Sequence, residues 1–251
     1  MLQPSEVNVA RLLVPLLRRC FSRDAVKHST NNNLVMKQLN IDDDLQPVLE
    51  LVDSTAAKDN ILVQITSLDQ SEIQKFFRDR AKLALSYGVS FGYYQKNSKR
   101  LVGMMLNSIY QKDSERRIIQ HNYGALQRSY SHELQAVIRF LQYFTGGLHQ
   151  ELETDCYMDL GMSVIIHKLR GCHLAVPALE RCEQVARCMD IPYLTSFASV
   201  KITQSLLLAQ GYRVLRKTSY EDYVDPETGR KLFTSTPKER DAILLYKALK
   251  P

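Results

Sequence analysis

The fold is decided by the stretch GMSVIIHKLRGCHLA, residues 161–175. Its first six residues, 161–166, are mostly apolar and predict a strand, and a helix is predicted after the Arg170-Gly171 turn. A strand that ends in such a turn and leads into a helix gathers unpaired backbone N–H groups at one point. A point of this kind suits an anionic phosphate group. The stretch therefore predicts a phosphate-binding turn that begins at Arg170.

The elements predicted around this turn come in a definite order. The helix is followed by a short strand at 193–197 and a second helical stretch, and Gly211-Tyr212-Arg213-Val214 then opens a further strand. Upstream, residues 89–95 and 100–110 predict a hairpin, and its second strand is apolar enough to be buried on both faces. This alternation of strands and helices predicts one mixed α/β domain over residues 1–251.

Other segments are less clear. Apolar residues at helical spacing predict three more helices, at 5–21, 69–86 and 131–146. Residues 34–66 show no clear pattern. Pro177 falls within the first turns of the helix after the Arg170-Gly171 turn, where we expect it to cost an intrahelical hydrogen bond.

Composition limits the class of protein. The chain has 251 residues, of which 45% are hydrophobic and 24% charged, as is ordinary for a globular domain. No apolar run approaches the length of a membrane span and no secretory signal pattern is present, so we expect a cytoplasmic protein without membrane contact. The five cysteines have no Cys-x-x-Cys spacing, which favours reduced thiols over disulfides or a zinc site.

Charge and histidine content argue against two other classes. The formal net charge is +6, but Lys and Arg are spread along the chain, so nucleic acid is not an expected partner. The field of these charges would equally steer a polyphosphate molecule such as coenzyme A. The six histidines lack the spacing of metal ligands, so no metal is expected.

The stretch from 161 to 223 resembles the acyl-CoA-binding half of the GCN5-related N-acetyltransferases (GNAT). The motif of that family is Arg or Gln, two residues, Gly, one residue, then Gly or Ala. Arg170 matches its first position and Ala175 its last, while His173 stands at the central glycine. The resemblance implies the GNAT fold, which is an α/β (α+β) arrangement with a mixed, mostly antiparallel central sheet flanked by helices. It also implies a V-shaped splay between strands 4 and 5.

The same resemblance implies acetyl-CoA as a co-substrate and assigns residues to it. The pyrophosphate is expected to contact the turn residues Arg170, Gly171, Cys172, His173, Leu174 and Ala175. The pantetheine arm is expected to meet the end of the preceding strand, at Val164 and Ile165. Thr203 matches a hydroxyl position near the cofactor thiol, although it equally fits a hydroxyl at a helix start.

The C-terminal part narrows the resemblance. Residues 220–233 begin Tyr-Glu-Asp-Tyr-Val-Asp and continue to a Gly and a Phe, which resembles a stretch of the invertebrate arylalkylamine N-acetyltransferases. Segments 17–24 and 87–103 are similar to the first helix and the central hairpin of those enzymes. The resemblance extends from about residue 5 to 250 and leaves almost no room before the first helix. Most of the usual first strand is therefore expected to be missing.

This resemblance implies transfer of an acetyl group from acetyl-CoA to a small primary amine by direct attack. A carboxylate accepts the amine proton, and a strand N–H polarises the thioester carbonyl. The family carries its base as the Glu of Asp/Glu-Glu-Pro-Leu just after the first helix. Ala25 holds that position here, so the adjacent Asp24 is the candidate base, with a solvated loop aspartate as the alternative. Pro237-Lys238 stands where those enzymes often carry Pro-His.

Departures at His173, Ala25 and Lys238 leave two hypotheses open. The first is an arylalkylamine-type N-acetyltransferase, a cytoplasmic monomer whose catalytic residues are Asp24 and Thr203. The second is a catalytically impaired relative that acts as a CoA-binding or protein-interaction module.

Two groups of side chains also allow two interpretations. The acidic residues before the strand that leads to Arg170 form either an amine-attracting cluster or a solvated loop: Glu151, Glu153 and Asp155. Five aromatic residues either line an amine pocket through cation–π contacts or pack in the core: Tyr93, Tyr94, Phe140, Tyr143 and Phe144.

Overall fold

A computed structural model of the chain describes residues 33–56, 62, 66, 68–112, 130–233 and 241–249. The strands within these ranges are β1 Leu34–Leu39, β2 Ser90–Gln95, β3 Leu101–Gln111, β4 Cys156–Ile165, β5 Tyr193–Ala198, β6 Arg213–Ser219 and β7 Asp241–Ala248. They form one sheet in the order β1-β2-β3-β4-β5-β7-β6. All neighbours are antiparallel except β4 and β5, which run parallel. The predicted mixed, mostly antiparallel sheet is confirmed.

Helices flank this sheet on both faces. Their bounds are α1 Ile41–Leu51, α2 Gln70–Ser86, α3 His132–Thr145, α4 Leu148–Glu151, α5 Ala175–Cys188 and α6 Lys201–Ala209. Ser131, where the helix at 131–146 was predicted to begin, caps α3 by accepting a hydrogen bond from Leu134 N at 3.2 Å. Within the described ranges, no helix combines the length and the apolar character needed to cross a bilayer.

The described sheet begins with β1, whereas the residues before the helix predicted at 5–21, where most of the usual first strand was expected to be missing, lie outside the described residues. β1 lies in the segment 34–66 and pairs with β2 along its whole length, from Leu34↔Gln95 to Leu39↔Ser90. α1 follows it directly, capped by Asn40, whose side chain accepts a hydrogen bond from Asp43 N at 2.8 Å. The helix predicted at 5–21 lies outside the described residues and precedes β1 in the chain.

Three apolar clusters hold the layers together. One joins α5 to the sheet through Leu179, Cys182 and Val185, and a second joins α1 and α2 to it through Val48 and Phe77. The third surrounds α3 and includes aromatic residues of the segment after β6. β3 is buried from Leu101 to Ile109, so its prediction as a strand covered on both faces is confirmed.

Candidate functional site

β4 and β5 separate after a short paired region. They pair only at Met158↔Leu194 and Asp159↔Thr195, and their last hydrogen bond runs from Ser196 Oγ to Leu160 O at 3.3 Å. Beyond this point β4 stays paired with β3 and β5 stays paired with β7. Two strands that keep their outer partners but lose each other open a V-shaped gap. The predicted splay is confirmed, and we call the gap between β4 residues 161–165 and β5 residues 197–198 the cleft.

A β-bulge lies at the point where the cleft begins. Leu106 pairs with Met162, but Ser108 pairs with Asp159. Two β4 residues therefore lie opposite Asn107 alone. A bulge of this kind bends its strand and takes one residue out of the ladder, which accounts for the turn of β4 away from β5.

The edge of β4 presents backbone groups to the cleft. Ile166 N–H donates to Val102 O at 3.0 Å, and bonded and non-bonded pairs alternate along an antiparallel ladder. The N–H and C=O of Ser163 and Ile165 therefore point away from β3 and into the cleft. Those of Val164 point towards β3, and its side chain is buried in the core. Ile165 is thus oriented for backbone contact with an extended ligand, whereas Val164 serves packing.

Residues 170–175, called the Arg170 turn below, have an unusual backbone. Gly171 has φ +82° and His173 has φ +56°, both in the left-handed region. Glycine adopts this region freely, whereas a residue with a side chain pays about 1 kcal/mol for it. His173 therefore holds a glycine-like conformation at the position where the motif carries glycine. No described atom lies within 4 Å of the place that a Cβ on Gly171 would take, so the turn is open there.

The turn presents a row of backbone N–H groups. In the part of the chain that the structure describes, no acceptor pairs with the N–H groups of Gly171, His173, Leu174, Ala175 and Val176. Cys172 is the exception, since its N–H donates to Leu169 O at 3.3 Å. Unpaired N–H groups at the start of a helix can bind an anion, and the assignment of the turn to the pyrophosphate stays a prediction.

Two hydrogen bonds fix the turn against the sheet. Tyr93 OH donates to Leu174 O at 2.7 Å, and Leu174 itself is buried. Arg170 Nε donates to Ile165 O at 3.2 Å, so the guanidinium group lies beside the end of β4. The turn, the end of β4 and the cleft are therefore parts of one site.

Pro177 does not break a hydrogen bond. It is the third residue of α5, and the first N–H groups of an α-helix have no intrahelical acceptor in any case. The expected loss of a bond at Pro177 is therefore wrong. Its effect is to end the row of free N–H groups at Val176.

Thr203 belongs to the helix that follows β5, as the Arg170 turn follows β4. It is the third residue of α6, which begins just after the end of β5. Because β4 and β5 are parallel, their carboxyl ends lie at the same edge of the sheet, where α/β folds commonly bind ligands. Thr203 is half-buried, and its hydroxyl has no recorded partner among the described residues. Its role near the cofactor thiol stays a prediction.

Asp24, Ala25 and Pro237-Lys238 lie outside the described residues. Asp24 follows the helix predicted at 5–21, whereas the helix that follows the first strand of the described sheet is α1. A π-helical turn, Val52–Ala56, follows α1. The next residues in the sequence, 57–62, read Ala-Lys-Asp-Asn-Ile-Leu and contain no Glu. Asp24 stays a prediction, without the support of the element order.

A buried carboxylate that the sequence analysis missed lies where the cleft begins. Asp159 is 7% exposed, and its Oδ1 accepts a hydrogen bond from Thr195 Oγ1 at 3.0 Å across the β4–β5 pair. Burial raises the pKa of Asp159, while the charge of Arg80 and the bond from Thr195 act in the opposite direction. An acid inside the apolar run Met158-Asp159-Leu160 was the signal in the sequence.

The acidic cluster before β4 is a surface feature. Glu151 forms an ion pair with Arg216, and Asp155 Oδ1 lies 3.4 Å from Lys112 Nζ. Both acids and Glu153 are exposed, at the amino end of β4. The cleft opens at the carboxyl end, so the solvated-loop interpretation holds.

The aromatic residues belong mainly to the core. Tyr93, Tyr94, Phe140 and Phe144 are all buried, whereas Tyr143 is 55% exposed. Phe140 contacts rings of the segment after β6, with centroid distances of 4.8 Å to Tyr223 and Phe233. Core packing is therefore the role of the four buried rings.

The comparisons with known proteins give structural likeness without close sequence similarity. No protein-family model and no curated protein matches the sequence. Arylalkylamine N-acetyltransferase 2 from Aedes aegypti matches with a TM-score of 0.67 at 16% identity, over 87% of this chain and 100% of that chain. Drosophila melanogaster polyamine N-acetyltransferase matches with a TM-score of 0.70 at 12% identity, over 86% and 100%. The C-terminal condensation domain of Ebony, in complex with beta-alanyl-dopamine, matches at 0.68 and 18%, over 86% and 98%. Identities this low show a shared fold, and the chemistry must be argued from the site.

Proposed function

We propose that this chain, which has the fold of the GCN5-related N-acetyltransferases, transfers an acetyl group from acetyl-CoA to a primary amine. The observation that carries the proposal is the cleft, with the unpaired N–H groups of the Arg170 turn at its open end. Two of the similar structures are named as acetyltransferases of arylalkylamines and polyamines, which supports an amine as the acceptor.

The residues present fit the acyl donor in two respects. The N–H groups of 171 and 173–176 suit the pyrophosphate, and the open space beside Gly171 lets an oxygen approach the backbone closely. The backbone groups of Ser163 and Ile165 suit the amide-bearing pantetheine arm, which would pair with β4 as an added strand. Arg170 supplies a positive charge at the same edge. The donor itself supplies an activated thioester.

The chemistry asks two things of the protein. The carbonyl oxygen of the thioester needs a hydrogen-bond donor. The bulge takes one β4 residue out of the β3–β4 ladder where the cleft begins, and we assign the donor role to a backbone N–H at this bulge. The amine must lose a proton before it attacks directly, because free amines are mostly protonated at neutral pH. We assign Thr203 the return of a proton to the departing sulfur.

The amine is a small primary amine, and arylalkylamines are the first compounds to test. The likeness of residues 220–233 to arylalkylamine N-acetyltransferases does not select the amine by itself. Tyr220, Tyr223 and Phe233 are buried around Phe140, so that likeness concerns the core. We place the reaction in the cytoplasm, with the chain acting as a monomer.

A second candidate function is a non-catalytic module that binds CoA or another protein. His173 favours it, because a Cβ and an exposed imidazole stand beside the N–H groups that would hold the phosphates. The acetyltransferase must bind both acetyl-CoA and an amine at the cleft, whereas the non-catalytic module needs no amine there.

Isothermal titration calorimetry with acetyl-CoA tests the proposal first. We expect a dissociation constant below about 100 µM, equivalent to more than about 5 kcal/mol of binding free energy. An amine panel assayed by thiol release follows, with arylalkylamines, agmatine and polyamines as acceptors. Binding without turnover of any amine would favour the non-catalytic module, and the absence of binding would reject the acetyltransferase.

A further inference from the structure

We propose that Asp159 is the general base that removes the proton from the amine. This inference rests on the proposed acetyl transfer and names the group that transfer requires. Asp159 belongs to the last β4–β5 pair before the strands separate, so its carboxyl group lies at the inner end of the cleft. The bulge that follows turns β4 away at this residue.

The two carboxyl oxygens of Asp159 have different surroundings. Oδ1 accepts the hydrogen bond from Thr195 Oγ1, which fixes the orientation of the carboxyl group. Oδ2 faces the space above Gly161, where an added Cβ would lie 3.2 Å from Oδ2 and 3.7 Å from Arg80 Nη2. Gly161 is exposed. The missing side chain at Gly161 therefore leaves the space beside Oδ2 unfilled, next to an exposed residue.

The charges around Asp159 suit proton transfer from an amine. Among the described residues, the positive charge of Arg80 of α2 lowers the pKa of the Asp159 carboxyl group, and Thr195 of β5 donates a hydrogen bond to this carboxyl group. Arg80 opposes the effect of burial and favours an ionised carboxylate. Its positive charge also disfavours an ammonium group nearby, which promotes loss of the amine proton. Burial acts the other way and makes the carboxylate more basic than an exposed one.

The proton balance of the step is complete. The ammonium form of the substrate gives one proton to Asp159 Oδ2, and the freed lone pair forms the N–C bond to the thioester carbon. The carbonyl π electrons move to oxygen and return as the C–S bond breaks. The nitrogen gives up a second proton, the Thr203 hydroxyl relays a proton to the departing sulfur, and Asp159 passes its own proton to water. The products are an amide, a thiol and one proton.

Asp159→Asn tests the assignment, with Asp155→Asn as the matched control. Asp155 is exposed and lies just before the same strand, far from the cleft. For Asp159→Asn we expect kcat to fall by about 10²–10³-fold, with the dissociation constant of acetyl-CoA unchanged within about threefold. Asp155→Asn should keep both values. Wild-type kcat in Asp159→Asn would overturn the inference and leave the proposed function intact. A wild-type protein that acetylates no amine would overturn both.

Thr195→Val gives an independent readout that does not remove the carboxyl group. The hydrogen bond from Thr195 lowers the pKa of Asp159, so its loss should move the acid limb of the pH profile of kcat/KM to higher pH. A residue with a merely structural role would lower the amount of active protein without shifting this limb. An unshifted limb would overturn the inference, even if Asp159→Asn fails to fold.

Discussion

Arg139 and Asp225 form a two-pronged ion pair, with 2.7 Å from Nε to Oδ1 and 2.8 Å from Nη2 to Oδ2. Asp225 is 1% exposed, and Thr228 Oγ1 donates to its Oδ2 at 2.8 Å. The pair joins α3 to the segment between β6 and β7. Tyr223 and Phe233 of this segment pack in the third apolar cluster, which surrounds α3. The ion pair therefore anchors a long connection to the face of the sheet that α3 covers.

Asp225→Asn should lower the free energy of unfolding by about 2 kcal/mol, because a charged hydrogen-bond pair is lost at a buried position. Urea unfolding measures this change. Glu227→Gln is the control, since Glu227 also pairs with Arg139 but its side chain is 68% exposed. The control should change stability by less than about 0.5 kcal/mol. Equal effects of the two substitutions would contradict the anchoring role of Asp225.

The same carboxyl group predicts a pH dependence of stability. The hydrogen bond from Arg139 is the main cause that lowers the pKa of Asp225 from 3.8 to about 2. A lowered pKa contributes stability that is present above pH 4 and is lost as the pH falls towards 2. This contribution is about 2 kcal/mol. The difference in unfolding free energy between wild type and Asp225→Asn should therefore shrink over this range, and a difference that stays constant would contradict the assignment.

Tyr93→Phe tests whether the sheet holds the Arg170 turn in place. The substitution removes the hydrogen bond from Tyr93 OH to Leu174 O and leaves a buried carbonyl without that donor. We expect a loss of about 1 kcal/mol of stability and weaker binding of acetyl-CoA, by about threefold to tenfold. Tyr143→Phe is the control, since Tyr143 is exposed on α3, outside the Arg170 turn. Unchanged acetyl-CoA binding in Tyr93→Phe would show that the turn does not depend on this bond.

His173→Gly should tighten the binding of acetyl-CoA by up to about tenfold, because the Cβ and imidazole no longer stand beside the free N–H groups. The melting temperature should hardly change. Relief of the left-handed backbone, about 1 kcal/mol, is offset by the greater freedom of glycine in the unfolded chain. His167→Gly, at another exposed histidine nearby, is the control in calorimetry. Weaker binding by His173→Gly would instead identify the imidazole as a phosphate ligand.

The Arg170 turn was predictable because its signals are local. An apolar strand, an Arg-Gly turn and a helix follow one another within about thirty residues, and such contiguous patterns survive folding. The splay followed from the resemblance, whereas its physical cause, the bulge opposite Asn107, did not appear in the sequence. Bulges depend on the register between strands that are far apart in the chain.

β1 and Asp159 show why other parts were missed. β1 is an edge strand in which only Leu34 and Leu39, at its two ends, are buried, so it lacks a period-two pattern. Asp159 gains its meaning from Thr195 and Arg80, which come from distant positions in the chain. An acid inside an apolar strand marks an unusual position in the sequence, but its role is not defined until these neighbours are brought together.

The short contact between β4 and β5 divides the sheet into two halves. One half contains β1, β2, β3 and β4, and the other contains β5, β7 and β6. A molecule bound in the cleft would supply the backbone hydrogen bonds that β4 and β5 lack there, and would stabilise the contact between the two halves of the sheet. Binding in the cleft should then slow amide hydrogen exchange in both halves of the sheet, along the strands that border the cleft and not only at the residues that contact the ligand. The cleft that admits the ligand is thus also the place where the sheet has the fewest hydrogen bonds between neighbouring strands.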